Sequence, residues 1–413
     1  MPFNQHTLGR RLREARDNCG LSQQAVADSL GLPRTAITQL EAGNRSVSTL
    51  ELAQLAELYN RPVADFFQEE PLHEDDLLVA LHRIAPGLDV SSDIKGQVAH
   101  CLSICREGCS LEQILGRSPV SGPPAYTLSP PRIAAEAVAQ GEQVAVQERK
   151  RLGLGNAPIA DMAELISDQG IWASGVNLPD EMSGLFLRHA SIGMAILVNL
   201  KHVRARKRFS YAHEYAHALL DRDRTVTVST QDNASELIEK RANAFAAAFL
   251  MPASGVEEVL RSLDKGLPSR YEQVVFDVAT EGRIDTQIRP TPGSQAVTFQ
   301  DVAILAHHFG VSYQAATYRL RSLNIVSQQD CANLLKQESA GKDYLDFLKM
   351  LDDLDQPENK ERQDRELKSQ VVHLAFEAYR RDAISRGKLL DISKKLELPG
   401  RKLIELAEVA KGN

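Results

Sequence analysis

The chain has no apolar run approaching the roughly 18 residues a membrane helix needs, so no transmembrane span is expected. Its start, Met1-Pro2-Phe3-Asn4-Gln5-His6, lacks the basic and then apolar layout of a secretory signal, and a cytoplasmic protein is expected. Cysteine is scarce, five in all and so an odd number, which argues against a disulfide framework. Positive charge is not in excess. The formal net charge is −7, so any nucleic-acid contact must be local. No internal repeat is evident. What is present is a globular balance, 43% hydrophobic and 25% charged, over 413 residues. That length calls for roughly two to four domains.

Three of the cysteines, Cys101, Cys105 and Cys109, recur every fourth residue beside His100. On a helix their sulfurs would spread over roughly 12 Å, too far for one tetrahedral ion. They read as small core residues.

Periodicity and cap residues predict a mainly α chain with a small β-sheet, an α+β class. Residues 5–68 read as short helices. One covers Leu8–Asn18, and a second, capped by Ser22, runs to Leu30. After the turn Gly31-Leu32-Pro33 come Pro33–Ala42, closed by Gly43-Asn44, then Ser48–Tyr59 and Pro62–Phe67. Residues 73–130 read as a helical connector ending in the linker Ser118-Pro119-Val120-Ser121-Gly122-Pro123-Pro124. A further domain is expected over 131–262, with helices at 131–151 and Ala160–Gln169. Its strands are Gly170–Val176, Met182–Arg188 and Ile192–Asn199. A loop near Thr225–Thr230 and a helix over Ser235–Leu250 follow. Asp264–Gln295, rich in Gly, Pro and Arg, reads as irregular. Residues 297–413 read as a helical C-terminal domain, with a charged stretch over 356–369.

The run Leu21-Ser22-Gln23-Gln24-Ala25-Val26-Ala27, continued by Leu30-Gly31-Leu32-Pro33-Arg34-Thr35-Ala36-Ile37-Thr38-Gln39-Leu40-Glu41-Ala42-Gly43-Asn44-Arg45, resembles the phage-repressor (XRE, Cro-like) helix-turn-helix family. The resemblance implies buried Ala25, Gly31, Ile37 and Leu40. It also puts the Pro33–Ala42 helix in the major groove of an operator. Arg34, Thr35, Thr38 and Gln39 would meet base edges, Arg suiting guanine and Gln adenine. Gln23, Asn44 and Arg45 would hold phosphates. Residues 1–45 carry six Arg against four acids, a weakly basic face that suits a homodimer or modest affinity. The competing reading is a bundle that binds protein.

The most informative stretch is His213-Glu214-Tyr215-Ala216-His217, an H-E-x-x-H pattern in an apolar-periodic run. On a helix, residues four apart share a face, so both imidazoles can grip one zinc ion. Glu214 can then deprotonate water. A third ligand is needed, and Glu239, in E-x-x-A-N-x-F-A, is 22 residues beyond His217. Glu236, three residues earlier, is the alternative. Asn243, one turn past Glu239, could bond a ligand imidazole. Asp221 either supports a ligand or lies on the surface. Tyr211 and Tyr215 are near in sequence, but helix geometry does not aim them at the ion. The basic run Lys201–Arg208 reads as a solvated loop.

This pairing resembles the ImmA/IrrE family of metallopeptidases, from about Gln140 to Pro252. Its strongest points are Phe209-Ser210-Tyr211-Ala212-His213-Glu214 and Leu250-Met251-Pro252. Gly184-Leu185-Phe186-Leu187 and Ile196-Leu197-Val198-Asn199 fit the family's small sheet. The resemblance implies that His213, His217 and Glu239 bind zinc and that Glu214 is the base. It further implies cleavage of a repressor or antitoxin-like protein. The alternative is a non-catalytic transcription factor that uses the fold for sensing or dimerising. A third reading is self-cleavage within 118–130 or 264–296. Phe299–Leu323 again looks like a helix-turn-helix, with Gly310-Val311-Ser312 at its turn; similar segments follow the peptidase in that family. His307 and His308 read as structural or surface residues.

Overall fold

The structure, a computed structural model, describes residues 5–19, 21–59, 63–66, 92–117, 122–189, 192–222, 226–230, 233, 235–265, 271–277, 282–288, 293–353 and 366–412. The expected helix from 73 therefore lies outside the described residues up to 91, as do residues 118–121 of the linker and most of the 356–369 stretch.

The N-terminal unit contains α1 (Gln5–Asn18), α2 (Gln23–Leu30), α3 (Arg34–Glu41) and α4 (Thr49–Leu58), followed by a short 3-10 turn at Val63–Phe66. Ser22 caps α2 by accepting from the Ala25 amide, and Gly31 closes it at φ 66°, a left-handed conformation that glycine adopts without strain. Ser48 and Glu51 form a reciprocal capping box at the start of α4. A separate core forms here, with Leu12, Ile37, Leu40, Leu55, Tyr59 and Phe66 at its centre. Two expected burials are corrected. Ala25 is half-buried and Gly31 exposed, while Val26 and Ala27 are buried. The Ser22 cap sets the phase of α2, and Gly31 is there for its backbone angle.

The next elements are α5 (Ser92–Ile114), α6 (Ala134–Arg151), α7 (Met162–Asp168), β1 (Ile171–Val176), β2 (Met182–His189) and β3 (Gly193–Asn199). Then come α8 (Arg204–Leu220), β4 (Val226–Thr230), α9 (Leu237–Leu250) and α10 (Ala253–Ser262). The sheet order is β1-β3-β2-β4, with β1 parallel to β3 and the other pairs antiparallel. Phe186, Ile196 and Val198 share a core with α8 and α9, whereas Leu185, Leu187 and Leu197 join a second core with α5. The alternation along each strand thus separates two cores. α6 crosses α9 closely at Gly141, where a Cβ would run into the Arg241 carbonyl oxygen.

A two-stranded hairpin, β5 (Tyr271–Asp277) and β6 (Gly282–Ile288), follows. α11 (Phe299–Phe309), α12 (Tyr313–Ser322), α13 (Gln328–Lys336) and α14 (Glu338–Asp353) contribute buried side chains to the core of α8 and α9. α15 (Glu366–Arg380), α16 (Arg386–Lys395) and α17 (Gly400–Gly412) join α5 behind the sheet. Cys101 and Cys105 are buried there, as small core residues should be, and Cys109 is half-buried.

The mainly α, α+β class is as expected. Three local readings are corrected. Thr225–Thr230 contains strand β4 rather than a loop alone, and Asp264–Gln295 contains β5 and β6. The Lys201–Arg208 run is not wholly a solvated loop: α8 starts at Arg204, and buried Arg208 donates to the carbonyls of Ile159 at 2.6 Å and Ala160 at 2.9 Å. Among the described residues, no helix is long and apolar enough to cross a membrane.

Candidate functional site

α8 and α9 lie against each other, and their facing turns carry His213, His217 and Glu239, all buried. One ligand atom from each comes within 4.8 Å of the other two. His213 Nε2 stands 2.9 Å from Glu239 Oε2 and 3.2 Å from His217 Nε2, which is 3.5 Å from Glu239 Oε1. Glu236 is exposed at the N-cap of α9, so only Glu239 of the two candidates meets the imidazoles.

The other ring nitrogens are held from behind. His213 Nδ1 is 2.9 Å from Asn243 Oδ1, and His217 Nδ1 is 2.9 Å from Asp221 Oδ2. A carboxylate only accepts, so His217 Nδ1 carries a proton and, in the neutral ring, Nε2 keeps its lone pair. Asp221 is buried and takes a 2.6 Å ion pair from buried Arg241. Sequence reasoning left Asp221 undecided and missed Arg241. The signal was an arginine two residues past a candidate ligand.

The donor set fits a divalent cation. Three buried carboxyl groups, those of Glu214, Glu239 and Asp221, stand at the site beside one buried guanidinium, that of Arg241. Glu239 Oε1 also lacks a hydrogen bond. The negative charge acts on whatever cation is offered. Burial disfavours the His217 imidazolium, but Asp221 and Glu239 outweigh it and raise the imidazole to about 10. Burial raises the Glu239 carboxyl, but the His213 and His217 rings outweigh that and bring it down to about 2. Two imidazole nitrogens and a carboxylate oxygen are a donor set suited to zinc.

Glu214 is fully buried, and neither carboxylate oxygen has a hydrogen-bond partner. Burial pushes its carboxyl above the usual range, against the pull of the neighbouring imidazoles and of the Ser229 hydroxyl. It reaches this position because β2 has a glycine beneath it: a Cβ on Gly184 would stand 2.9 Å from Glu214 Oε1. On β4, beside β2, the hydroxyl of buried Thr227 lacks a partner, and that of buried Ser229 stands near the Glu214 carboxyl without a well-aligned hydrogen bond. Tyr215 points elsewhere, donating to Glu148, and does not serve the site.

On the N-terminal unit, Arg34, Thr35, Thr38 and Gln39 are exposed on α3 and Asn44 is exposed after it. Gln23 donates to Glu41 at 2.9 Å and accepts from Thr38 at 3.2 Å, so these two side chains are tied to each other. Arg45 is paired with Glu51 at 2.6 Å, and its other terminal nitrogen has no protein partner.

Comparison with known proteins bears on both regions. Residues 7–66 match the family model described as a helix-turn-helix domain, and residues 167–274 match that of the IrrE N-terminal-like domain, a peptidase M78 model. Similar curated proteins are an uncharacterised HTH-type transcriptional regulator of Sinorhizobium medicae (strain WSM419) and one of Rhizobium meliloti (strain 1021). Each is 33% identical over 70 residues, 17% of this chain and 50% of the relative. The chain thus spans about half the length of the curated relatives it matches.

Proposed function

We propose that this chain, in which a helix-turn-helix domain precedes an IrrE N-terminal-like domain, is a cytoplasmic DNA-binding regulator with zinc-dependent endopeptidase activity. Its substrate is a repressor or antitoxin-like protein whose cleavage changes transcription. The observation that carries the enzymatic half is Glu214, a fully buried carboxylate without a hydrogen bond beside the converging His213, His217 and Glu239. An unpartnered buried carboxylate costs stability, and a purely structural centre gains nothing from it.

His213, His217 and Glu239 would hold the metal. Bound zinc supplies a Lewis acid that polarises a peptide carbonyl and acidifies water. Glu214 takes the proton of the attacking water and passes it to the departing amine. Asn243 and Asp221 fix the two rings from behind. On the other unit, Arg34, Thr35, Thr38 and Gln39 face base edges, while Gln23, Asn44 and Arg45 face phosphates. A two-fold operator would let a homodimer double this modest set of interactions.

Glu214→Gln in the full-length protein is the test. Zinc content and DNA binding should persist, because Glu214 is not among the ligands. New protein N-termini that appear in cells carrying the wild type should be lost with the variant, the rate falling by about 10²- to 10⁴-fold. The relatives' names as regulators fit this reading no better than the second, a transcription factor whose central fold senses or dimerises. That reading prevails if the variant regulates its genes as the wild type does.

A further inference from the structure

Asp221 and Arg241 form a buried ion pair that neither metal ligation nor proton transfer uses. Asp221 closes α8, its amide donating to the His217 carbonyl at 2.9 Å. Its Oδ2 faces His217 Nδ1 at 2.9 Å and its Oδ1 accepts from Arg241 at 2.6 Å. Arg241 lies on α9, two residues past Glu239, and its other terminal nitrogen reaches Gln140 of α6 at 3.3 Å. The contacts therefore run without a break from α6 through α9 and α8 to a candidate ligand ring.

A buried ion pair is a weak source of stability, since apolar residues of similar volume often serve as well. Its orienting power is another matter. An acceptor behind a ligand histidine fixes the tautomer and the plane of the ring. Asp221 alone would be free to rotate. The guanidinium holds it in one orientation. Asn243 to His213 is a second link between the same two helices, at 2.9 Å. Glu239 therefore lies just before two residues, Arg241 and Asn243, that tie α9 to α8.

We infer that Arg241, acting through Asp221, is a positioning residue of the metal centre, holding the His217 ring and the spacing of α8 and α9 in the arrangement a divalent cation needs. The inference rests on the reading of His213, His217 and Glu239 as zinc ligands.

The test uses full-length protein stripped of metal and titrated with zinc against a chelating indicator. Thermal unfolding of the metal-free protein is recorded in parallel. Asp221→Asn and Arg241→Gln should each weaken zinc binding about 10- to 100-fold. The double variant should be no weaker than the worse single one, because the two act in series. Arg241→Lys should recover part of the affinity. The control is Glu148→Gln, which breaks a buried network with Tyr126, Arg151 and Tyr215. It should lower the unfolding temperature and leave zinc affinity alone. Wild-type affinity in the Asp221 and Arg241 variants would overturn the inference whatever their melting temperatures, as would an equal loss of affinity in Glu148→Gln. If Arg241→Gln does not fold, Asp221→Asn and Arg241→Lys carry the comparison. A wild type that binds zinc no better than His213→Ala refutes the zinc reading itself, a distinct result.

Discussion

At the scale of single residues, Gly184 is the least conspicuous part of the site. It reads as an ordinary strand glycine, yet its missing Cβ leaves the space into which Glu214 fits, with the Leu197 carbonyl oxygen 3.0 Å from the same point. Gly184→Ala must displace either the carboxylate or the strand. A stability loss of about 1–3 kcal/mol is expected from such overpacking. Because a base displaced by about 1 Å costs near 10²-fold in rate, cleavage should fall further than stability predicts. Thermal unfolding measured alongside cleavage checks this, and wild-type turnover in the variant would mean that Glu214 does not need its present position. Some of the site was legible residue by residue. The four-residue histidine spacing and the E-x-x-A-N pattern pointed to Glu239, and the structure brings these side chains together. Asp221 was not legible, because the burial of a charge depends on a partner supplied by another helix, here Arg241 twenty residues on.

Single elements explain what the sequence pattern hid. β4 alternates Val with Thr or Ser up to Ser229, but buried Thr227 and Ser229 lie on the face of Phe186 and Gly184, and Val228 is buried on the other face. The usual rule of apolar in and polar out fails because the interior at that point is the candidate site. β5 and β6 were lost for another reason. Composition averaged over Asp264–Gln295 mixes two seven-residue strands with their Gly- and Pro-containing flanks. Cap residues, by contrast, fixed helix starts well, as Ser22 illustrates. Element packing also yields a pH prediction. Buried Glu107 on α5 pairs with Lys388 at 2.8 Å and Lys395 at 2.6 Å, pinning α16. Burial raises its carboxyl, but the two ammonium groups outweigh burial and hold it below the ordinary value. A carboxyl lowered by folding adds stability that is fully present above its unfolded pKa, near 4.3, and lost as pH falls through the folded value. Glu107→Gln should therefore cost about 1.5–3 kcal/mol at pH 7, and the gap to wild type should narrow at an acid pH, below the unfolded value near 4.3. Hydrogen exchange of α15 to α17 at both pH values measures it, and a gap that does not change with pH would remove Glu107 as the cause.

At the scale of the whole molecule, the helix-turn-helix unit has a hydrophobic core of its own, separate from the two cores on either side of the sheet. The candidate metal centre draws its ligands from α8 and α9, and α1 to α4 contribute nothing to it. Exposed Arg34 and Gln39 on α3 hold their positions through Ile37 and Leu40, which pack only within the N-terminal core. Removal of zinc should therefore leave operator binding intact in both affinity and salt dependence. Arg34→Ala or Gln39→Ala should relax sequence choice by about 1–3 kcal/mol, the worth of one bidentate pair of hydrogen bonds to a base. Binding of a selected operator by full-length protein, measured with and without a strong chelator over a range of salt, separates the two effects. An affinity that falls more than about tenfold on chelation, the value of some 1.4 kcal/mol of coupling, would mean that the metal centre acts on the DNA-reading unit. The chain would then be a metal-responsive switch, with its central fold serving as the sensing body.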